Sequence, residues 1–260
     1  MTPDMVHVRG AEIAVYRLPG DSAEPAPLLL WAHGWGHSHA AFLPMAEAMH
    51  RSSSSALLDF PGFGAAPPPP DAWGTADYAD AVAQWLEREP PARRIWIAHS
   101  FGCRVGLQLA ARHPQLVDGL VLIAAAGLPP HRSPMGRLRF VLRRWAYRLA
   151  RLFVPEGSAR DRLRARFGSA DYRQAGPMRG VLVKTVGENL SEAARAVRCP
   201  ALLIYGDRDS ETPPELGMRF NALMPHSRLV VLSGFDHWNV LTDGRHQIVE
   251  RLREFLEQVA

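Results

Sequence analysis

Apolar residues along this chain fall into short runs separated by longer stretches with a helical repeat. Leu28–Ala32, Leu120–Ala125 and Ala201–Tyr205 are unbroken apolar runs, and Ala56–Phe60 is interrupted only by Asp59. Runs this short, bounded by turn residues, read as strands buried on both faces. Ile13–Leu18, Ile95–Ala98 and Leu229–Leu232 read as further strands. Between them the apolar period lengthens. Thr75–Glu87 sets Tyr78, Ala81, Val82, Trp85 and Leu86 on one helical face. The last helix, from about Arg245 to Val259, does the same with Ile248, Val249, Leu252, Phe255 and Leu256. Strand and helix in alternation predict an α/β fold with a mostly parallel sheet flanked by helices.

The alternation stops between Gly127 and about Val197. From Leu138 onward, Val141, Leu142, Trp145, Leu149 and Leu152 mark one helical face. The expected organisation is therefore a core of residues 1–126 and 198–260, with residues 127–197 inserted as a helical cap over the strand ends. Twelve arginines lie between Arg132 and Arg173, and Lys184 is the chain's lone lysine. Arginines on an amphipathic helix commonly form a solvated face. The sharper reading is recruitment of an acidic acyl carrier or a coenzyme A thioester.

Composition narrows the field. The 260 residues are 47% hydrophobic, enough for one large domain with a sizeable core. The N-terminus carries no apolar signal-peptide core, and no apolar run approaches a membrane span. Cys103 and Cys199 are the two cysteines, which argues against a disulfide framework and for a cytoplasmic setting. No His/Cys spacing reads as a metal site, and no cofactor is expected. The net charge of +4 is by itself weak evidence for an anionic partner, and nucleic acid is not expected because no nucleic-acid motif appears.

The most informative stretch is Ile95-Trp96-Ile97-Ala98-His99-Ser100-Phe101-Gly102, followed at once by a helical pattern through Arg112. Strand, sharp turn and helix around a serine make a nucleophile elbow, which requires small residues two places either side. Ala98 and Gly102 meet that need. A serine hydroxyl becomes a useful nucleophile only when a histidine takes its proton and a carboxylate orients that histidine. Downstream, Leu202–Tyr205 runs into Gly206-Asp207-Arg208-Asp209, and Val230–Leu232 runs into Ser233-Gly234-Phe235-Asp236-His237. Two aspartates and one histidine thus follow strand ends, where open α/β sheets place their sites. Trp35 and Trp238 are further pocket candidates.

With His33-Gly34-Trp35-Gly36 after one strand and Pro61-Gly62-Phe63-Gly64 after the next, these motifs resemble, in order, the α/β-hydrolase superfamily, in its serine-nucleophile, esterase-like branch with a helical cap. The resemblance implies Asp209 as the acid, with Asp207 a turn residue, and His237 as the base. It implies an oxyanion hole from the backbone N–H groups of Trp35 and Phe101. It also implies an apolar acyl pocket, for which Leu138, Val141, Trp145 and Trp238 are candidates. Cys103 stands where glycine is common, and Asp236 could be a second carboxylate near the base. His33 and His99 are expected to point away from the site by strand alternation. His37 and His39 are expected to serve the loop rather than the substrate.

The expected activity is hydrolysis of a carboxylic ester or thioester through an acyl-enzyme on Ser100, with a small acyl ester as substrate. C–C bond hydrolases share the same triad. Pimeloyl-[acyl-carrier protein] methyl ester esterases share the His-Gly-Trp-Gly loop and the Pro-Gly-Phe-Gly turn. A reading of another class is a non-catalytic protein of this fold that binds a small ligand.

Overall fold

In the computed structural model, the structure describes residues 1–21, 26–129, 172 and 174–259. Among these, eight strands form one sheet in the order β1-β2-β4-β3-β5-β6-β7-β8. They are β1 (Asp4–Val8), β2 (Ala11–Leu18), β3 (Leu28–Ala32), β4 (Ser55–Asp59), β5 (Arg94–His99), β6 (Gly119–Ile123), β7 (Ala201–Gly206) and β8 (Ser227–Leu232). β2 runs antiparallel to β1 and β4, and the pairs from β4 through β8 are parallel. The mostly parallel α/β sheet expected from the apolar pattern is therefore present. β1 is the strand that pattern missed. Its sequence, Asp-Met-Val-His-Val, sits at a sheet edge and is largely exposed, so no apolar run marks it.

Residues of β3, β5, β6 and β7 are nearly all buried because helices cover both sheet faces. The two-residue period of a strand divides each run between two cores. Trp96 and Ala98 join Leu30, Leu122 and Leu203 on one face, under α2 (Thr75–Leu86), α3 (Phe101–Arg112) and α6 (Pro214–Leu223). Ile95 and Ile97 join Trp31, Val121 and Ile204 on the other, under α1 (Leu43–Met49) and α8 (Arg245–Gln258). α8 meets that face through Ile248, Val249, Leu252 and Phe255, at helical spacing.

The described residues of the 127–197 segment include α4 (Arg179–Gly187) and α5 (Ser191–Ala196) and no strand. α5 packs on α3 and α6, with Ala194 fully buried, so it belongs to the layer covering the sheet. α4 docks on the start of α2. Lys184 Nζ donates to Ala72 O and Asp77 Oδ2, and Glu188 accepts from the Thr75 amide and hydroxyl. A carboxylate at a helix N-terminus satisfies orphan N–H groups and complements the helix dipole. Leu138, Val141 and Trp145, the expected acyl-pocket residues, lie outside the described residues. The remaining short helix, α7 (Asn239–Thr242), leads into α8.

Candidate active site

Ser100 sits between the end of β5 and the start of α3 with φ 45° and ψ −100°. A non-glycine residue seldom adopts this backbone, and strain of this kind collects at functional sites. The turn is held by Ser100 N–H donating to Ile123 O (3.0 Å) and Cys103 N–H to Ser100 O (3.2 Å). A Cβ on Gly102 would lie 2.3 Å from Ala32 O, so the position two after the serine must be glycine for α3 to start against β3. Ala98 is fully buried and is accommodated. Cys103 fills the space behind the elbow, its Sγ donating to Ala98 O (3.2 Å) and Ile123 O (3.3 Å). Burial pushes its thiol far above the ordinary range, which leaves it a packing group.

Asp209 follows β7, and His237 follows β8 by a short loop. His237 Nδ1 donates to Asp209 Oδ2 at 2.8 Å. Asp209 also accepts from the amides of Glu211 (2.8 Å) and Thr212 (2.7 Å) and from the Thr212 hydroxyl (2.7 Å). Burial alone would raise its carboxyl. The hydrogen bonds from His237 and Thr212 outweigh that and hold it below the usual value. Asp209 and His237 are both buried. Asp207 is exposed and ties a turn instead, accepting from the Ser233 hydroxyl and the Gly234 amide.

Ser100 and His237 line one cavity of about 290 Å³ together with Trp35, Phe101, Arg104, Leu182, Thr185 and neighbouring residues. Three segments far apart in sequence thus converge at the strand ends. The Phe101 N–H opens α3, where no intrahelical acceptor exists. Neither it nor the Trp35 N–H has an acceptor among the described residues. The Trp35 ring packs edge-on to Phe63 (4.9 Å) and Phe101 (5.7 Å), fixing the loop that carries its amide.

The histidines and Trp238 depart from expectation in part. His33 is a turn residue: its Nδ1 donates to Gly34 O, and its Nε2 accepts from Phe60 N–H. His39 stacks on Tyr16 and bonds Asp59, away from the cavity. His99, expected to face away, touches His237 directly. Its Nε2 donates to His237 O at 3.0 Å, and the two rings lie 4.8 Å apart. A Cβ on Gly34 would meet His99 Nδ1 at 2.6 Å, so the same ring also supports the His-Gly-Trp-Gly loop. Alternation correctly sends His99 to the α1/α8 face, but the His237 loop folds over the sheet end onto that face. Burial pushes the His99 ring well below its ordinary value, so it stays neutral beside His237. Asp236 does not reach His237 as a second carboxylate. It accepts from the amides of Trp238 and Asn239 at the start of α7. That place is taken by Glu211, whose Oε2 is 3.8 Å from His237 Nε2. Trp238 is 46% exposed and lines a neighbouring groove with His37, donating to Glu211 Oε1. It is not a wall of the Ser100 cavity.

Sequence reasoning missed Arg104, Glu211 and Thr212. Thr212 had a signal, since Asp-x-x-Thr favours a side-chain–backbone turn. Arg104 had none, because an arginine early in a helix reads as solvated. Among the described residues no cluster of metal-binding side chains occurs. No helix among them is long and apolar enough to cross a membrane.

Comparison with known proteins places this architecture. Residues 27–169 match the model of the α/β-hydrolase fold family. A pimeloyl-[acyl-carrier protein] methyl ester esterase of Chromobacterium violaceum is 31% identical over 90% of this chain and 96% of its own. One of Salmonella typhi is 26% identical over 80% of this chain and 86% of its own. An esterase structure from Exiguobacterium antarcticum superposes with a TM-score of 0.75 at 15% identity, covering 98% of this chain and 99% of that one. The chain belongs to the α/β-hydrolase fold family and is an enzyme acting on ester bonds.

Proposed function

We propose that this enzyme is a serine esterase working through an acyl-enzyme on Ser100, and that its ester is presented on an acyl carrier protein. The observation that carries the first part is the strained Ser100 opening onto the same cavity as His237, whose other ring nitrogen is held by Asp209. Ser100 Oγ attacks the acyl carbonyl as His237 Nε2 takes its proton. Asp209 fixes the tautomer and stabilises the imidazolium. The Trp35 and Phe101 N–H groups receive the oxyanion, each worth about 3–4 kcal/mol in the transition state. His237 then protonates the departing alcohol. Water enters, gives its proton to His237 and attacks the acyl carbon. Ser100 leaves with that proton, and the free acid departs.

The carrier is suggested by the Chromobacterium violaceum relative, similar over nearly its whole length, and by the arginines between Arg132 and Arg173. The arginine-bearing part of the expected 127–197 insert would meet it, a cytoplasmic encounter between opposite charges. Ser100→Ala should lower kcat by about 10⁶-fold and abolish labelling by a fluorophosphonate. Retained labelling would refute the nucleophile. Activity on a carrier-borne methyl ester should fall steeply with salt, while activity on a small soluble ester should not. Equal salt dependence would refute the carrier.

A further inference from the structure

Arg104 lies one helical turn beyond Ser100, about 6 Å along α3. It lines the Ser100 cavity and also the adjoining cavity of about 850 Å³ that runs beside α6. One guanidinium nitrogen donates to Thr185 O (2.9 Å) in the last turn of α4, a carbonyl that also accepts from the Glu188 amide (3.3 Å). A guanidinium has five N–H donors, and this is the one hydrogen bond Arg104 makes from its side chain among the described residues. It forms no ion pair among them either. The other charged residue common to both cavities, Glu211, is engaged at the opposite end of the chemistry, with Trp238 Nε1 and beside His237. Burial pulls the guanidinium below its ordinary value, against the field of Glu188. Among the described residues, Arg104 is thus a half-buried cation without a carboxylate hydrogen-bonded or ion-paired to it, beside the proposed nucleophile.

Desolvating a cation without a partner is costly, and a planar fork of donors matches a carboxylate. We infer that the cavity also takes free half-esters of short dicarboxylic acids, with the ester carbonyl at Ser100 and the distal carboxylate on Arg104. This activity would be additional to any carrier-borne substrate. It rests on the serine-esterase reading but not on the carrier. The position of Arg104 where the two cavities meet sets the geometry: the chain runs from Ser100 toward the α6 side and ends at the guanidinium.

The test compares kcat/KM for monomethyl esters of straight-chain dicarboxylic acids with methyl esters of chain-matched monocarboxylic acids. The half-ester should be preferred by roughly ten- to hundred-fold at its best chain length. Arg104→Gln should bring that ratio close to one. Arg104→Lys should keep part of it, since the charge remains while the fork is lost. A wild-type ratio at or below one overturns the inference, as does a ratio unchanged in Arg104→Gln. Should Arg104→Gln fail to fold, calorimetry on Ser100→Ala decides the point. Tighter binding of a dicarboxylate than of the matched monocarboxylate supports Arg104, and equal binding overturns it. Failure to hydrolyse either ester would count against the esterase reading, while the calorimetric comparison would still judge Arg104.

Discussion

Among the described residues, two buried aspartates each hold a histidine, with similar chemistry and different surroundings. At one, Asp209 Oδ2 accepts from His237 Nδ1 at 2.8 Å, and the carboxylate is completed by two amides and the Thr212 hydroxyl. At the other, Asp59 accepts from His39 Nδ1 at 3.1 Å, from the His39 and Ala65 amides and from the Tyr16 hydroxyl. Both carboxylates are shielded from water. The difference lies beyond the histidine. The His39 ring is stacked on Tyr16 with centroids 3.5 Å apart and does not border the cavity that Ser100 lines. The His237 ring borders the cavity that Ser100 also lines. An aspartate–histidine pair is therefore no signature of catalysis by itself. What counts is whether the second ring nitrogen faces a space that a nucleophile shares.

The largest contrast should come from removing the two charges. Asp209→Asn should lower kcat/KM by about 10⁴-fold, because the orienting carboxylate selects the tautomer of His237. Asp59→Asn should leave kcat/KM within a few-fold of wild type and lower stability by about 3 kcal/mol. For a domain of this size that is a Tm loss of roughly 6–12 °C. Steady-state kinetics and thermal melts on both variants check this. Matching losses of activity in the two folded variants would erase the distinction between the pairs.

A smaller effect separates the shells of the Asp209 pair. Thr212 Oγ1 donates to Asp209 Oδ2 and also lies 3.1 Å from His237 Nδ1. Thr212→Val preserves shape and removes this bond. A hydrogen bond to a charged group is worth about 1.5–3 kcal/mol, so kcat/KM should fall roughly ten-fold, mainly in kcat. A change confined to KM would mean that Thr212 serves the substrate instead.

The contrast between the pairs also explains what the sequence could disclose. Ser100 was legible because its turn obeys a local rule: small residues at 98 and 102, strand before, helix after. The strand ends and their order narrowed the partners to His237 and to Asp207 or Asp209, and it was the family resemblance that pointed to Asp209. The role of Asp59 and His39 was not legible, since Asp59 reads as an interruption in an apolar run. Its partners, Tyr16, His39 and Ala65, come from three separate segments. The place of His99 was missed for a related reason. Alternation tells which sheet face a residue takes, but not which loop folds over the sheet end to meet it. Arg104 needs the cavity itself, which exists only after α4 has docked.

A last effect falls on stability alone, as a pH dependence that keeps the two kinds of buried group apart. His33 is fully buried, and its pKa is lowered from 6.5 to about 4, chiefly by burial. Between those values the unfolded chain binds a proton that the folded chain excludes, so acidification favours unfolding. Stability from the neutral ring is full above about pH 6.5 and is lost as pH falls toward 4, and buried, neutral His99 adds in the same direction. Asp209 acts lower. Its carboxyl is held below the ordinary 3.8, so its contribution is present above that value and lost as pH falls beneath it. Tm measured against pH should therefore decline first between 6.5 and 4 and again below 3.8. His33→Gln, which can still donate to Gly34 O and accept from the Phe60 amide, should flatten the first decline. Asp209→Asn should flatten only the second. A wild-type Tm that stays level from pH 6.5 to 4 would show that these rings are not held neutral by the fold.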